Sequence, residues 1–261
     1  MGSVSPPGHL HETGKADACV RGFVKVVALL SGGKDSAAAV HVVRQWGWEV
    51  AGACVLTVTG EDSHMFHRPN ARWAPLVAKG MGLPVFQGET GGDAEKEVGD
   101  LEALLRRARD ATGAEGVVLG ALASEYQRVH IERVGHRLGM RTFTPLWHKP
   151  AVDYMRWLLA ARFHVLFVSV SAEGLGQGWL GRRLTPRALG MLERQSLRHG
   201  FHIAGEGGEY ETLAVDGPCF ERPITGIEAT THWQRDSGWY EVNEARLGPP
   251  RQGAPPPVPD E

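Results

Sequence analysis

VKVVALLSGGKDS, residues 24–36, decides the fold class of this 261-residue chain. Residues 24–30 are almost all apolar and rich in β-branched side chains, which is typical of a strand buried on both faces of a parallel sheet. The polar turn SGGKDS follows, and residues 37–46 then have the composition of a helix. A strand, a glycine-rich turn and a helix in this order predict the start of an α/β fold.

The alternation of strand and helix continues to about residue 120. Residues 50–58 predict a second buried strand, and residues 93–112 predict an amphipathic helix. Near residue 121 the pattern becomes irregular, so we expect an α/β, Rossmann-like parallel sheet followed by a smaller C-terminal α+β subdomain. The expected division is a flexible tail at 1–21, the α/β domain at 22–121, the α+β subdomain at 122–247 and a Pro-rich tail at 248–261.

Composition and charge exclude several protein classes. Hydrophobic residues make up 42% of the chain and charged residues 22%, as in ordinary globular proteins. The net charge of -2 gives no overall field that would attract nucleic acid or anionic lipid. No apolar run reaches the roughly 18 residues of a membrane span. We therefore expect a cytoplasmic protein without nucleic-acid or membrane partners, and a homodimer stays open.

SGGKDS carries the strongest chemical signal. Gly32 and Gly33 allow a tight turn and close approach of the backbone to a ligand, while the N–H groups at the start of the next helix attract an anion. Lys34 would add positive charge, and Ser36 can cap the helix and donate to a phosphate oxygen. Asp35 would repel a phosphate, which predicts a bridging Mg²⁺. The alternative is a serine-capped helix without a ligand.

GEGGEYETL, residues 205–213, is the second signal. Glu206, Glu209 and Glu211 lie within six residues, and the last two would share one face of a strand. Carboxylates this close repel one another unless a cation, an ammonium group or a cluster of donors lies between them. The alternative is a solvated acidic loop on an edge strand.

The predicted helix after residue 124 is the third signal. Gln127 extends its apolar stripe and could face a cleft. Glu125, Arg128 and Glu132 have the spacing of ion pairs on a solvated helix face, so simple surface pairing is the alternative.

Two loops give weaker signals. In SHMFHRPN, residues 63–70, no third ligand accompanies the histidines. Contacts of Met65, His67 and Asn70 with a substrate or a closing loop are therefore favoured over a metal site. EGLGQGWLGR, residues 173–182, has four glycines and suits a mobile loop near the cleft, or else a simple linker.

SGGKDS at the end of the first strand resembles the PP-loop of the ATP pyrophosphatase superfamily. The resemblance implies a PP-loop ATPase fold of the HUP type, with ATP and Mg²⁺ as cofactors, Asp35 as a metal ligand and pyrophosphate as a product. The residues implied to hold the triphosphate are Ser31, Gly32, Gly33, Lys34, Asp35 and Ser36.

GEGGEYETLAVDGP, residues 205–218, resembles the signature of the diphthine–ammonia ligase family, also called DUF71 or ATP-binding domain 4. Residues 120–132 resemble its GxxxSxYQRxRxE stretch, with His130 where arginine is common, and residues 63–70 resemble its SxMFHxxN segment. The resemblance covers about residues 24–225, and it implies that the domain at 22–121 binds ATP and the subdomain at 122–247 binds the substrate. It implies substrate contacts from Ser124, Gln127, Arg128, Met65, His67 and Asn70.

The resemblance implies an adenylate-forming amide ligase. A carboxylate, small or protein-borne, would attack the α-phosphate of ATP and release pyrophosphate, and ammonia would then displace AMP. Asp35, Glu206, Glu209 and Glu211 would be catalytic, the glutamates by holding ammonium and accepting its proton. An acidic pocket also suits diphthine, which carries a quaternary ammonium group.

Other functions stay open at this point. A bacterial relative would amidate another metabolite, for example a cobalamin-related one, since diphthine belongs to the archaeal and eukaryotic elongation factor. A non-catalytic sensor of ATP or AMP would use the same loop but would not need Glu209 and Glu211. A tRNA-thiolating enzyme would want a reactive cysteine pair or a basic face, and Cys19, Cys54 and Cys219 are far apart.

Overall fold

The structure is a computed structural model that describes residues 24–58, 70–91 and 94–259; of the helical residues 94, 95, 126 and 127 only the backbone is described. The predicted tail at residues 1–21 lies outside the described part. The strands are β1 (Lys25–Leu29), β2 (Glu49–Val58), β3 (Val85–Thr90), β4 (Gly116–Val118), β5 (Arg141–Phe143), β6 (His164–Val170), β7 (Tyr210–Asp216), β8 (Ile224–Gln234) and β9 (Ser237–Leu247). The helices are α1 (Lys34–Gln45), α2 (Ala74–Gly80), α3 (Ala94–Thr112), α4 (Glu125–Arg137), α5 (Ala151–Ala160) and α6 (Pro186–His199), with short 3-10 turns at Ala71–Trp73 and Gln177–Trp179.

The first five strands form a parallel sheet in the order β3-β2-β1-β4-β5. The predicted Rossmann-like α/β fold is confirmed. β5 pairs with β4 over residues 141–143, so this sheet continues well past residue 121, where the sequence pattern placed a boundary. Sequence periodicity missed this strand because three residues are too few to show a period.

β1 is covered on both sides, and after Lys25 all of its residues are apolar. Val26 and Ala28 belong to a core that includes residues of α1 and α2, whereas Val27 belongs to a second core with residues of α3 and α4. All three side chains are at most 1% exposed. Strand side chains alternate between the two faces, so helices lie on both faces of the sheet.

The C-terminal part forms a four-stranded sheet in the order β7-β6-β9-β8, and its neighbouring strands are antiparallel. The predicted smaller α+β unit is therefore confirmed, and β8 and β9 form its terminal hairpin. In α6, the Thr185 side chain before the first turn accepts the N–H of Ala188, and Gly200 with φ +75° follows the last turn. Residues from both sheets belong to one continuous hydrophobic core.

The segment after β9 packs on the body of the protein. Arg251 pairs with Asp216, and both side chains are largely buried. Farther along, Arg162 donates to the carbonyl of Pro255, and the His164 ring is bonded to the carbonyl of Pro256. The predicted Pro-rich tail is thus anchored through residue 256. Within the described ranges, no helix is both long and apolar enough to cross a membrane.

Candidate active site

The SGGKDS loop lies at the carboxyl end of β1, where open α/β sheets bind ligands. Gly32 has φ +86°, and a Cβ there would lie 3.2 Å from Cα of Ala74, so both its conformation and its surroundings require glycine. α1 begins directly after Gly33, which caps it without a side-chain hydrogen bond. The predicted cap by Ser36 is wrong, because its Oγ donates to the carbonyl of Gly33 at 3.0 Å.

β7 clamps this loop from the other sheet. The N–H of Lys34 donates to Oγ1 of Thr212 at 3.2 Å, and the N–H of Ala214 donates to the carbonyl of Gly32 at 2.9 Å. Thr212 belongs to GEGGEYETL, so two of the three sequence signals meet directly. The N–H groups of Asp35 and Ser36 lie in the first turn of α1, where a helix offers no acceptor of its own.

The ammonium group of Lys34 points into the protein. Nζ donates to the carbonyl of Ala204 at 2.6 Å and to Oδ2 of Asp35 at 2.8 Å, and it lies 5.4 Å from the centre of the Tyr210 ring. The side chain is only 3% exposed. Lys34 therefore ties the loop to the residues before β7, and its contact with a triphosphate stays a prediction.

Asp35 is held from both sides. Its Oδ1 accepts the hydroxyl of Tyr154 on α5 at 2.7 Å, while Oδ2 accepts Lys34. Burial, and then the neighbouring Asp35, raise the pKa of Tyr154 well above its ordinary value, so the phenol stays a donor. The Asp35 side chain is still 25% exposed. Within the described residues no group of three metal-ligating side chains exists, so a Mg²⁺ here would depend on Asp35, phosphate oxygens and water.

The three glutamates have different positions. Glu209 precedes β7, and its carboxylate accepts the N–H of His202 and the N–H of Gly207, each at 2.8 Å. It braces the GEGG turn through both oxygens, and the catalytic role of Glu209 stays a prediction. Glu206 uses one oxygen to accept the N–H of Ala123 at 2.9 Å. Glu211 lies on β7 opposite Ser169 and is half-buried.

Two buried tyrosines, Tyr154 and Tyr210, lie close to these carboxylates. Burial raises the pKa of Tyr210 well above its ordinary value, and Asp35, Glu209 and Glu206 raise it further. Asp35 and Glu206 act in the same direction on Tyr154. Since charge effects of this kind are short-ranged, the loop aspartate and the acidic motif surround one buried phenol pair.

The loop after β4 completes the site. A Cβ on Gly120 would lie 2.5 Å from the carbonyl carbon of Asp35 and 2.6 Å from the nitrogen of Ser36, so only glycine permits this approach. Sequence reasoning missed Tyr154, which reads as an ordinary core residue of an amphipathic helix. The close approach of Gly120 to Asp35 did have a signal in the sequence, because Gly120 is the first residue of the stretch that resembles GxxxSxYQRxRxE.

Arg128 lies on the surface. It pairs with Glu125 at 2.8 Å and Glu132 at 2.6 Å, and its guanidinium lies 5.1 Å from the ring centre of Trp147. The surface-pairing alternative is therefore the observed one, and these contacts compete with the predicted substrate contact of Arg128. Ser124 accepts the N–H of Arg128 through its backbone, and Gln127 has no described side chain.

Asn70 is committed to β9. Its Nδ2 donates to the carbonyl of Tyr240 at 2.8 Å, and its Oδ1 accepts the N–H of Val242 at 3.0 Å. Both ends of the buried amide are thus used within the protein, and the substrate contact of Asn70 stays a prediction. The predicted contacts of Met65 and His67 lie outside the described residues.

The EGLGQGWLGR segment is anchored, not a free loop. The N–H of Gly181 donates to the carbonyl of Phe167, whose own N–H donates to the carbonyl of Arg182. Trp179 is 5% exposed and packs edge-on against Phe167, whose ring also contacts Tyr210. The mobile-loop prediction is therefore wrong for the second half of this segment.

Comparison with known proteins covers both sheets. Residues 24–142 match the model described as diphthamide synthase N-terminal domain, and residues 150–247 match the diphthamide synthase C-terminal domain. The second match includes the hairpin β8–β9, which lies beyond the resemblance seen in the sequence. A solved structure, a predicted subunit of a tRNA methyltransferase from Methanocaldococcus jannaschii, covers 75% of this chain and 100% of its own at 12% identity; its TM-score of 0.37 is too low to support an argument.

Similar curated proteins are diphthine–ammonia ligases. The Danio rerio protein is 32% identical over 228 residues, which cover 79% of this chain and 88% of that one. The Rattus norvegicus protein is 33% identical over 77% of this chain and 82% of its own length, and the Homo sapiens protein is 30% identical with the same coverage. With both domains matched in order and relatives of this identity along most of their length, the chain belongs to the diphthine–ammonia ligase family.

Proposed function

We propose that this protein is an ATP-dependent amide ligase that activates a carboxylate as an acyl-adenylate and transfers it to ammonia. The observation that carries the proposal is the meeting of three distant segments: Lys34 of the SGGKDS loop bonds to Ala204 and Thr212 around the acidic motif, and Glu206 of that motif bonds to Ala123 after β4. A phosphate-binding loop and a cluster of carboxylates thereby share one site.

The residues of the loop fit a triphosphate. Gly32 and Gly33 present no side chain, and the first-turn N–H groups of α1 are positioned as anion donors at the positive end of the helix dipole. The hydroxyl oxygens of Ser31 and Ser36 lie 3.3 Å apart at the same turn. Ser31 is exposed and can turn its hydroxyl toward a phosphate oxygen, whereas the hydroxyl of Ser36 donates to the carbonyl of Gly33. Mg²⁺ would be held by Asp35 and would neutralise phosphate charge.

The chemistry needs two steps that conserve all atoms. A carboxylate oxygen of the acceptor bonds to the α-phosphorus of ATP, and the bond from that phosphorus to the β-phosphate breaks, so pyrophosphate leaves. Ammonia then bonds to the acyl carbon, and AMP leaves with the carboxylate oxygen. The protein contributes positioning and electrostatic stabilisation by preorganised donors.

Glu206 and Glu211 are the proposed partners of ammonium. Both oxygens of Glu209 accept backbone N–H groups. One oxygen of Glu206 accepts the N–H of Ala123, and that bond leaves its other oxygen for a ligand. A carboxylate near the acyl carbon would hold NH₄⁺ and accept a proton, so that neutral ammonia attacks.

Free ammonium is the proposed nitrogen source. Cys54 and Cys219 are buried, and burial raises the pKa of each thiol to about 12. Neither is a thiolate nucleophile at neutral pH, as an enzyme that takes ammonia from glutamine by cysteine catalysis would need.

The proposed acceptor is diphthine on the elongation factor, following the names of the relatives. The test incubates the protein with ATP, Mg²⁺, ammonium and diphthine-bearing elongation factor, and measures pyrophosphate, AMP and amide. We expect one AMP for each amide and no pyrophosphate when the acceptor is left out. When ammonium is left out, pyrophosphate release should stop after a single release per protein molecule, because the acyl-adenylate then has no ammonia to react with. Tight ATP binding without pyrophosphate release, with this acceptor and with small-metabolite carboxylates, would instead support a nucleotide sensor.

A further inference from the structure

A cavity of about 520 Å³ lies between α1 and the start of α5. Its volume is in the range of cavities that hold small organic ligands. Among the described residues that line it, Tyr154 is the one that also belongs to the site above, and none belongs to SGGKDS or GEGGEYETL. His41 on its wall follows Lys34 by two turns of α1, which is about 10 Å along the helix. The cavity therefore lies outside the proposed ATP site.

Aromatic rings line the cavity from both helices. Trp157 of α5 stacks on Tyr154 with ring centres 6.1 Å apart, and its ring centre lies 6.0 Å from that of His41 on α1. Burial, and then the nearby Arg44, lower the pKa of His41, so its ring lines the cavity without a charge at neutral pH. Trp46, also on the wall, is 51% exposed. These ring faces favour a ligand with a flat apolar group.

Two side chains of opposite charge line the same cavity. Lys149 directly precedes Pro150, the residue that caps α5, and Asp153 lies in the first turn of that helix. Among the described residues, neither charge has an ion-pair partner, and the two do not pair with each other. Arg156, farther along α5, pairs with Glu193 at 3.0 Å. A positive and a negative group at one cavity are complementary to a ligand that carries both signs itself.

We propose that this cavity binds an aromatic α-amino acid. The ring of the ligand lies against Trp46 and Trp157, while its carboxylate accepts from Lys149 and its ammonium group donates to Asp153. A nucleobase is flat but carries neither charge, and an aliphatic acid carries one charge and no ring. An aromatic amino acid has all three features in one small molecule. The amide-ligase proposal does not require this site.

The first test uses the natural chain. The indole Nε1–Hε1 signals of ¹⁵N-labelled protein are followed by NMR while L-phenylalanine is added. We expect saturable shifts at Trp46 and Trp157, and none at Trp233 and Trp239 on the β8–β9 hairpin. Shifts that are linear and no larger than those from glycine, or an equal or stronger response of the same two signals to adenosine, would overturn the proposal.

Ligand analogues and variants then locate the two charges. Phenethylamine lacks the carboxylate of phenylalanine, and 3-phenylpropionate lacks its ammonium group. Lys149→Gln should weaken the binding of phenylalanine and 3-phenylpropionate roughly tenfold, because a hydrogen bond between charged groups is lost, and should not weaken phenethylamine. Asp153→Asn should weaken phenylalanine and phenethylamine by a similar factor and spare 3-phenylpropionate. The pattern forms a double-mutant cycle between side chain and ligand.

Lys79→Gln is the control, because it removes the same charge from an exposed residue of α2 that does not line the cavity. All the ligands should bind this variant as they bind the natural chain. Lys149 and Asp153 are exposed, so their variants should keep the fold, which thermal unfolding verifies. Equal losses for phenylalanine and phenethylamine in Lys149→Gln, or the same losses in Lys79→Gln, would contradict the proposal.

Discussion

The hydroxyl of Tyr154 donates to Oδ1 of Asp35 at 2.7 Å and so joins the C-terminal unit to the first turn of α1. Lys34 holds the other oxygen of the same carboxylate. Asp35 is therefore oriented by one group on each of its two oxygens. Preorganisation of this kind is what a site for a charged substrate requires.

Tyr154→Phe tests this relationship. Loss of a hydrogen bond to a charged group costs about 1.5–3 kcal/mol when no water replaces it, and Asp35 is partly exposed, so we expect about 1 kcal/mol of stability and roughly a tenfold loss of kcat. Urea unfolding and steady-state ATP turnover measure the two effects. Tyr240→Phe, which removes a phenol on β9, is the control, and equal kinetics in both variants would refute the positioning role of Tyr154.

Gly120→Ala should move the phosphate loop. Its Cβ would lie 2.5 Å from the carbonyl carbon of Asp35, and backbone atoms there cannot rotate away. We expect ATP affinity to fall at least tenfold, measured by calorimetry, with an overpacking cost of about 1–3 kcal/mol. Gly99→Ala on α3 meets no atom within 4 Å and should stabilise the protein by up to about 1 kcal/mol. If Gly120→Ala bound ATP normally, the contact between the two loops would be irrelevant to the site.

Glu209→Gln tests whether Glu209 stabilises the GEGG turn or takes part in the reaction itself. An amide can accept only one of the two N–H groups from His202 and Gly207, so its own NH₂ would face the other donor. We expect a stability loss of about 1–3 kcal/mol, with ATP binding reduced less than turnover. Glu193→Gln, at an exposed ion pair, should cost less than about 1 kcal/mol. Unchanged thermal unfolding in Glu209→Gln would show that the bracing is dispensable.

The two described thiols predict a loss of stability in alkali. Burial raises the pKa of Cys54 and Cys219 from 9.0 to about 12, so their contribution is complete below pH 9 and is lost as the pH rises toward 12. Between about pH 8 and pH 10 the pair should lower the free energy of unfolding by about 3 kcal/mol. Urea unfolding of the natural chain and of the Cys54→Ala, Cys219→Ala variant measures this. The same alkaline slope in both would contradict it.

The sequence was sufficient for the parallel sheet and the phosphate loop because both depend on local pattern. A run such as residues 24–30 shows its burial directly, and Gly32 and Gly33 show the need for backbone approach. The three-residue strand β5 could not be found in this way, and its pairing with β4 is a tertiary result.

The hydrogen-bond partners of several predicted site residues could not be predicted, because they lie far away in the sequence. Asn70, Glu209 and Lys34 are residue types that bind ligands, yet each is used on backbone groups of its own chain. Whether such a side chain binds a ligand or a backbone group depends on which segment packs against it in the fold, and local composition carries no information about that packing. The ion pair of Arg251 with Asp216, which anchors the segment after β9, could not be predicted for the same reason.

The proposed ligase activates a carboxylate as an acyl-adenylate, with ATP bound at the SGGKDS loop. The most direct measurement supplies diphthine-bearing elongation factor whose acceptor carboxylate carries ¹⁸O, together with ATP and ammonium, and determines the mass of the AMP formed. We predict that AMP gains one ¹⁸O atom and that pyrophosphate gains none. Unlabelled AMP, or ADP with labelled phosphate in its place, would contradict the claim.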